Sequence, residues 1–273
     1  MKFSLSSFLT KLTLTASVAS VLAGCDEPEY ATPTPATEST VGQARVLVVN
    51  AAPGATGTSV LLDNTPFGSA LPYLSASALT PVNAGQRLFI YNEPTNIPSN
   101  AAAGSPARSL VARSAFLGGS NYTIFLTDPP TRAFIGTTDQ GGIRSLVLTD
   151  NLAAPTVATN AKIRFVNLGS PASGTVSYGI YTATASLFSA APTRAYRVPT
   201  VGTGAALVNF ANFTEVAQGS YDLNVRSATA TAIPIVGTQR SFTFAAGKIY
   251  TLYVRGIAGS STTPLGISVV QHN

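Results

Sequence analysis

The stretch ARVLVVNAAPGATG, beginning at Ala44, aligns without a gap over 14 positions with AKIRFVNLGSPASG, beginning at Ala161. Ala44/Ala161, Val49/Val166, Asn50/Asn167, Ala55/Ala172 and Gly57/Gly174 are identical, and Arg45/Lys162 and Val46/Ile163 are conservative. The echo continues downstream. FLGGSNYTIFLT (Phe116–Thr127) matches FAAGKIYTLYVR (Phe244–Arg255), with Phe, Gly, Tyr and Thr in register, and NAGQRLFIY matches AQGSYDLNV around Gly85 and Gly219. A chain built this way folds as two copies of one unit, here Ala44–Pro155 and Ala161–Asn273, joined by a short Pro/Thr/Ala segment.

Each copy reads as short strands between Gly, Pro, Asn and Ser clusters. In the first copy the clearest are Arg45–Asn50, Ser59–Asp63, Arg87–Asn92, Ser109–Phe116, Tyr122–Asp128 and Ile143–Asp150. They are rich in β-branched and aromatic residues, and several alternate with period two. Helical spacing of apolar residues is not seen after the N-terminal segment. About seven strands in about 110 residues predict an all-β chain of two tandem antiparallel β-sandwich domains, immunoglobulin-like in layout. A jelly roll or small barrel stays open, because periodicity does not order the strands.

The N-terminal segment carries a different message. Lys2 and Lys11 precede an apolar stretch, Leu12–Ala23, which at 12 residues is shorter than the roughly 20 needed to span a bilayer. That is the layout of a secretory signal peptide, residues 1–24. Leu22-Ala23-Gly24-Cys25 then resembles the bacterial lipobox, and Cys25 is the chain's single cysteine. The resemblance implies cleavage between Gly24 and Cys25 and lipidation of the Cys25 thiol. Several acyl chains anchor stably where one is marginal, since each buried methylene contributes about 0.8 kcal/mol. Asp26 resembles an inner-membrane retention cue, whereas the pair Asp26-Glu27 resembles the export signal of Bacteroidetes-type surface lipoproteins. Residues 25–43 are then a lipidated cysteine followed by a Pro/Thr-rich tether.

A family resemblance covers nearly all of the remaining chain. ARVLVVNAAPGA, AGQRLFIY, a later G-x-x-YTIFL and the closing RSLVLTDNL resemble the bacterial extracellular domain of unknown function DUF 4397. Members typically open A-R-V-R-V-V-H-A-S-P and occur in tandem in secreted or lipid-anchored proteins. The resemblance implies a lipoprotein with two tandem copies, at the outer membrane or cell surface. Asn50 and Asn167 stand where the family often has His, and the first copy carries an extra loop, Glu93–Pro106.

Little of the sequence points to chemistry. Charged residues make up 10% of the chain, against roughly 25% in ordinary soluble domains. The net charge of +5 is scattered, without the basic stripe that nucleic-acid binding needs. No His/Cys set has metal-ligand spacing, and no catalytic triad can be assembled around the single histidine, His272, which is expected to be a frayed surface group near the C-terminus. Asp63, Asp128 and Asp150 end strands, where Asp commonly caps a turn. Glu93, Asp139, Glu215 and Asp222 complete the domain carboxylates. GTGAAL (Gly202–Leu207) lacks the third glycine and the helix of a nucleotide loop. Tyr73, Tyr91, Tyr178, Tyr181 and Tyr196 are candidates for a sugar platform, with core packing as the competing role. The expectation is a non-enzymatic envelope protein with no cofactor and no metal, held to the membrane by lipid and contacting a protein or glycan through two sandwiches. The alternative is a glycan- or small-ligand-binding accessory lipoprotein of an uptake system.

Overall fold

A computed structural model describes residues 42–171 and 176–273. The signal segment, Gly24, Cys25 and nearly all of the tether lie outside the described residues, as do Ala172 and Gly174 of the repeat alignment.

The first copy contains β1 (Gln43–Asn50), β2 (Ser59–Leu62), β3 (Thr65–Pro66), β4 (Thr80–Asn83), β5 (Gly85–Asn92), β6 (Ser109–Phe116), β7 (Asn121–Thr127) and β8 (Arg144–Asp150). They form two four-stranded sheets, ordered β4-β1-β7-β8 and β3-β2-β5-β6. The second copy contains β9 (Asn160–Asn167), β10 (Ser177–Tyr181), β11 (Arg194–Ala195), β12 (Thr200–Val201), β13 (Val208–Asn209), β14 (Thr214–Ala217), β15 (Gly219–Ser227), β16 (Ala230–Pro234), β17 (Arg240–Phe244), β18 (Ile249–Arg255) and β19 (Gly266–Gln271). Its sheets run β14-β9-β18-β19 and β11-β10-β15-β16, with β17 also on β15. The order of the first copy thus recurs in the second. Gly85 faces Phe116 in one copy and Gly219 faces Phe244 in the other, pairing the very residues that align in sequence.

The all-β sandwich expectation is met, and every ladder is antiparallel except one in each copy. β1 runs parallel to β7, with Leu47 opposite Thr123, and β9 runs parallel to β18, with Arg164 opposite Thr251. The first strand of each copy therefore lies inside its sheet, against a strand about 80 residues later.

Two of the three cores are the sandwich interiors. One gathers Val46, Val48, Phe89, Tyr91, Phe116 and Ile124; the other gathers Ile163, Phe165, Ile180, Leu223, Phe244 and Leu252. In each copy an aromatic pair closes the corner before the later strand. Phe116 meets Tyr122 edge-on at 4.8 Å, and Phe244 meets Tyr250 at 5.2 Å. The Tyr122 hydroxyl accepts a bond from the Leu117 amide, and that of Tyr250 accepts one from Ala245.

The third core lies between the sandwiches. Leu47, Val49, Ala51, Phe125 and Leu148 of the first copy pack with Val166, Leu168, Ala211 and Tyr253 of the second. Phe125 and Tyr253 lie 5.5 Å apart. Because side chains alternate along a strand, Val46 and Val48 of β1 and Tyr122, Ile124 and Leu126 of β7 fill their own sandwich, while Leu47, Val49 and Phe125 fill this layer. Both faces of these strands are buried, so they read as nearly unbroken apolar runs. β6 faces solvent on one side and keeps a strict alternation, with Val111, Arg113 and Ala115 outward.

Candidate functional site

The carboxylates are dispersed, and most hold backbone or arginine. Asp63 has a left-handed backbone (φ 47°), accepts the Leu88 amide and pairs with Arg87, which is the turn role expected of it. Glu93 is buried and accepts bonds from the Thr56, Thr58 and Thr95 hydroxyls and the Thr56 and Gly57 amides. Burial works to raise its pKa, but those donors overcome it and hold the carboxyl at about 2. This fastens the extra loop Glu93–Pro106 to the sandwich. Glu215 binds the amides of Thr156 and Val157, tying the joint between copies to β14.

Asp128 also sits at a left-handed turn (φ 67°), but it is the hub of a charge cluster. Arg144 grips both its oxygens at 2.9 Å, Arg132 lies at 3.6 Å, and Arg197 reaches across from the second copy to 3.7 Å. Arg197 also donates to the Ser145 carbonyl at 2.8 Å.

Asp150 departs from the turn-cap expectation, and His272 from the surface one. The Arg164 Nη2 atom lies 2.7 Å from Asp150 Oδ1, and both side chains are fully buried between the copies. Arg164 Nε donates to Thr251 Oγ1 at 2.8 Å, Nη2 to Thr123 Oγ1 at 3.3 Å, and Nη1 to the Ala211 carbonyl at 3.2 Å. Its plane lies over the Phe213 ring at 4.6 Å. Thr123 in turn donates to Asp150 Oδ2 at 2.6 Å. Thr123 and Thr251 are the aligned threonines of the two copies.

His272 is buried beside this pair, its Nε2 at 2.7 Å from Thr251 Oγ1 and its Nδ1 at 3.8 Å from Asp150 Oδ2. The amide of His272 bonds the Ile249 carbonyl, so the C-terminal end continues the sheet rather than fraying. Burial pushes the imidazole down to about 4, with Asp150 opposing and Arg164 adding to the shift. A proton on Nδ1 faces Asp150 and leaves Nε2 to accept from Thr251, which is the tautomer the surrounding charges favour.

Asn50 and Asn167, aligned within the repeat, each hold the loop that follows the first strand. Asn50 Nδ2 donates to the Leu71 carbonyl at 2.8 Å and its Oδ1 accepts the Ala52 amide. Asn167 Nδ2 donates to the Arg194 carbonyl at 2.7 Å and its Oδ1 accepts the Gly169 amide. Both are buried staples of the loop that follows the first strand.

Of the tyrosine candidates, Tyr91, Tyr178 and Tyr181 are buried, while Tyr73 and Tyr196 are half-buried with their hydroxyls sealed inside. Tyr91 packs in the first sandwich core and Tyr178 in the second, and the Arg226 guanidinium lies over the Tyr181 ring at 4.9 Å. Gly204–Ala206 forms a single 3-10 turn. Among the described residues no three His, Cys, Asp or Glu side chains lie together as metal ligands. Also among them, no helix is long and apolar enough to cross a membrane.

Several concave sites have a charge in their walls, Glu93 and Arg108 in one and Arg194 in another. A cavity of about 250 Å³ opens beside Arg194, lined by Leu187, Phe188, Ala191, Leu207 and Asn209. The Arg194 guanidinium lies over Phe210 at 4.1 Å, Phe165 at 4.9 Å and Phe188 at 5.1 Å, and burial pushes its pKa down to about 9. Sequence reading missed both Arg164 and Arg194. Arg164 stands opposite Leu47 in the repeat alignment, whereas the match of Arg194 with Leu71 emerges from the structure, where each gives its carbonyl to the aligned asparagine.

Residues 44–178 match the family model described as Domain of unknown function (DUF4397). No curated protein matches the chain. Among solved structures, a candidate cell adhesion protein from Parabacteroides distasonis aligns at 11% identity and a TM-score of 0.21, covering 86% of this chain and 100% of that one. Another, from Bacteroides eggerthii, aligns at 11% identity and a TM-score of 0.19, covering 84% of this chain and 95% of that one. Likeness at these scores carries no argument about function.

Proposed function

We propose that this chain, which carries a DUF4397 domain over residues 44–178, is a non-enzymatic lipoprotein of the bacterial cell envelope. It displays two β-sandwiches as one stiff body for adhesive or structural contacts at the outer membrane or cell surface. The supporting observation is the layer between the copies, where an apolar core surrounds a fully buried Arg164–Asp150 pair. A buried pair of this kind holds one arrangement, because any sliding of the sheets would strand a charge away from water. The second copy, Ala161–Asn273, is on this reading a further member of the same family, sharing the strand order of the first.

The anchor rests on Cys25 and its lipobox resemblance. Cys25→Ala is expected to lose lipid labelling and membrane fractionation; a variant that stays with the membrane unchanged refutes the anchor. Protease shaving of intact cells then separates surface display from a periplasmic face. The alternative, a small-ligand-binding accessory lipoprotein, is favoured by one observation, the cavity beside Arg194.

A further inference from the structure

We propose that the cavity beside Arg194 binds a small organic carboxylate, the guanidinium taking the carboxylate and the apolar wall taking its carbon skeleton. The repeat supplies the strongest reason. Asn167 holds the Arg194 carbonyl as Asn50 holds that of Leu71, so Leu71 and Arg194 occupy equivalent places. Leu71 is part of the first sandwich core. A leucine therefore satisfies the fold at this position, whereas a buried guanidinium must be taken out of water at a cost of several kcal/mol.

That cost is not offset by a protein carboxylate. Arg132, Arg144, Arg164 and Arg197 each meet an aspartate. Arg194 is 7% exposed, yet no Asp or Glu among the described residues comes within ion-pair distance of it. Its Nε donates to the Ala191 carbonyl at 3.4 Å and its Nη1 to that of Phe165. Its Nη2 is left without an acceptor among the described residues, on a side chain that lines the cavity. Phe165, Phe188 and Phe210 fix the plane of the guanidinium and offset part of its desolvation through their ring faces, but they supply no negative charge.

One fixed guanidinium selects the charge of the ligand. A carboxylate is planar, carries one negative charge and accepts from guanidinium N–H groups. A phosphate dianion would leave one charge unbalanced, since Arg194 is the one charged side chain in a lining whose other polar groups, Ser189, Asn209, Asn212 and Thr214, are neutral. The side chain of Asn209 lies in the same wall and can take a hydroxyl or the second carboxylate oxygen. An apolar cavity of about 150 Å³ is enough to take up benzene, and this one measures about 250 Å³. That is room for a monocyclic acid or a single uronic acid residue of a polysaccharide.

The inference rests on the small-ligand reading and is independent of the anchor, since fractionation tests Cys25 and binding tests Arg194. Calorimetric titration of the full-length chain in detergent, with benzoate and with glucuronate, is the experiment. At least one acid should bind, with its neutral counterpart, benzyl alcohol or glucose, at least about tenfold weaker. Arg194→Leu, which copies the first sandwich, should lower affinity by about tenfold or more while keeping the thermal transition, and Arg194→Lys should lose less. Leu207→Asp is a second variant, at a residue 52% exposed on the cavity rim; it should abolish binding by repulsion even if Arg194→Leu folds poorly. Binding of glucuronate alone assigns the acid to a glycan, and binding of benzoate alone assigns it to a free aromatic acid. Failure of both acids at about 10 mM, a range where even a weak Kd would register, overturns the proposal. So does equal binding by the Leu207→Asp protein.

Discussion

Arg164 of the second sandwich and Asp150 of the first lie 2.7 Å apart with both side chains fully buried. The guanidinium is held in addition by Thr123 and Thr251, one from each copy. Removing one partner leaves the other charged and dry, which costs about 3–5 kcal/mol, whereas replacing both by apolar groups is often neutral. Asp150→Ala is therefore expected to destabilise the chain by that amount. The double variant Asp150→Leu/Arg164→Leu should cost less than the sum of its single changes. Leucine is already the residue at the matching place, Leu47, in the first copy. Urea unfolding of the four proteins in the cycle measures this.

His272 gives the interface a pH dependence. Its folded pKa, about 4, lies below the ordinary histidine value of 6.5, so the unfolded chain binds the extra proton first. Stability is then full above about pH 6.5 and falls as pH drops through the window from 6.5 to 4, by up to about 3 kcal/mol. His272→Gln should flatten that window. Below it, wild type and variant should fall in parallel as Glu93, held at about 2, is protonated. Thermal melts at half-unit pH steps would show the difference.

Asn50→Ala and Asn167→Ala should each destabilise by about 1–3 kcal/mol, because each strands a buried carbonyl and a buried amide. The partners are Leu71 and Ala52 in one copy and Arg194 and Gly169 in the other. Near-equal costs in denaturant titrations are the expected sign that the staples are equivalent.

Gly179 lets the segment before β11 lie against β10. A Cβ there would sit 2.1 Å from the Pro192 carbonyl oxygen. Gly179→Ala should displace Pro192–Arg194, cost about 1–3 kcal/mol, and weaken acid binding at Arg194. Gly57→Ala, where a Cβ meets nothing within 4 Å, should change stability by no more than about 0.5 kcal/mol.

The strands were legible because turn residues punctuate them: Ser109–Phe116 is the same in sequence reading and structure. Residues matched by the repeat take matching places in the ladders, Gly85 opposite Phe116 in one copy and Gly219 opposite Phe244 in the other. Strand order was not legible, since alternation fixes which face a residue takes and not which strand lies beside it. The layer between the copies left a trace in the continuous apolar runs of β1, β7 and β18, which a strand with one wet face would not carry. His272 misled because closeness to a chain end says nothing about pairing. Here the end is covered by Phe213, 5.7 Å away, and by the edge of β18. Arg164 lay in plain view as a charged residue opposite Leu47, while the place of Arg194 needed the structure, because the segments leading to Leu71 and Arg194 differ in length.

The placement of β1 has a mechanical consequence. It begins at Gln43, next to the first described residue, and is flanked by β4 on one side and parallel β7 on the other. A pull directed along the strand axis from Gly42 would meet ladder bonds that lie across it. Those bonds share the load and must give way together, whereas an edge hairpin pulled from its open end unzips one rung at a time. A body held from its N-terminal side in this way resists traction with the strand nearest its point of attachment.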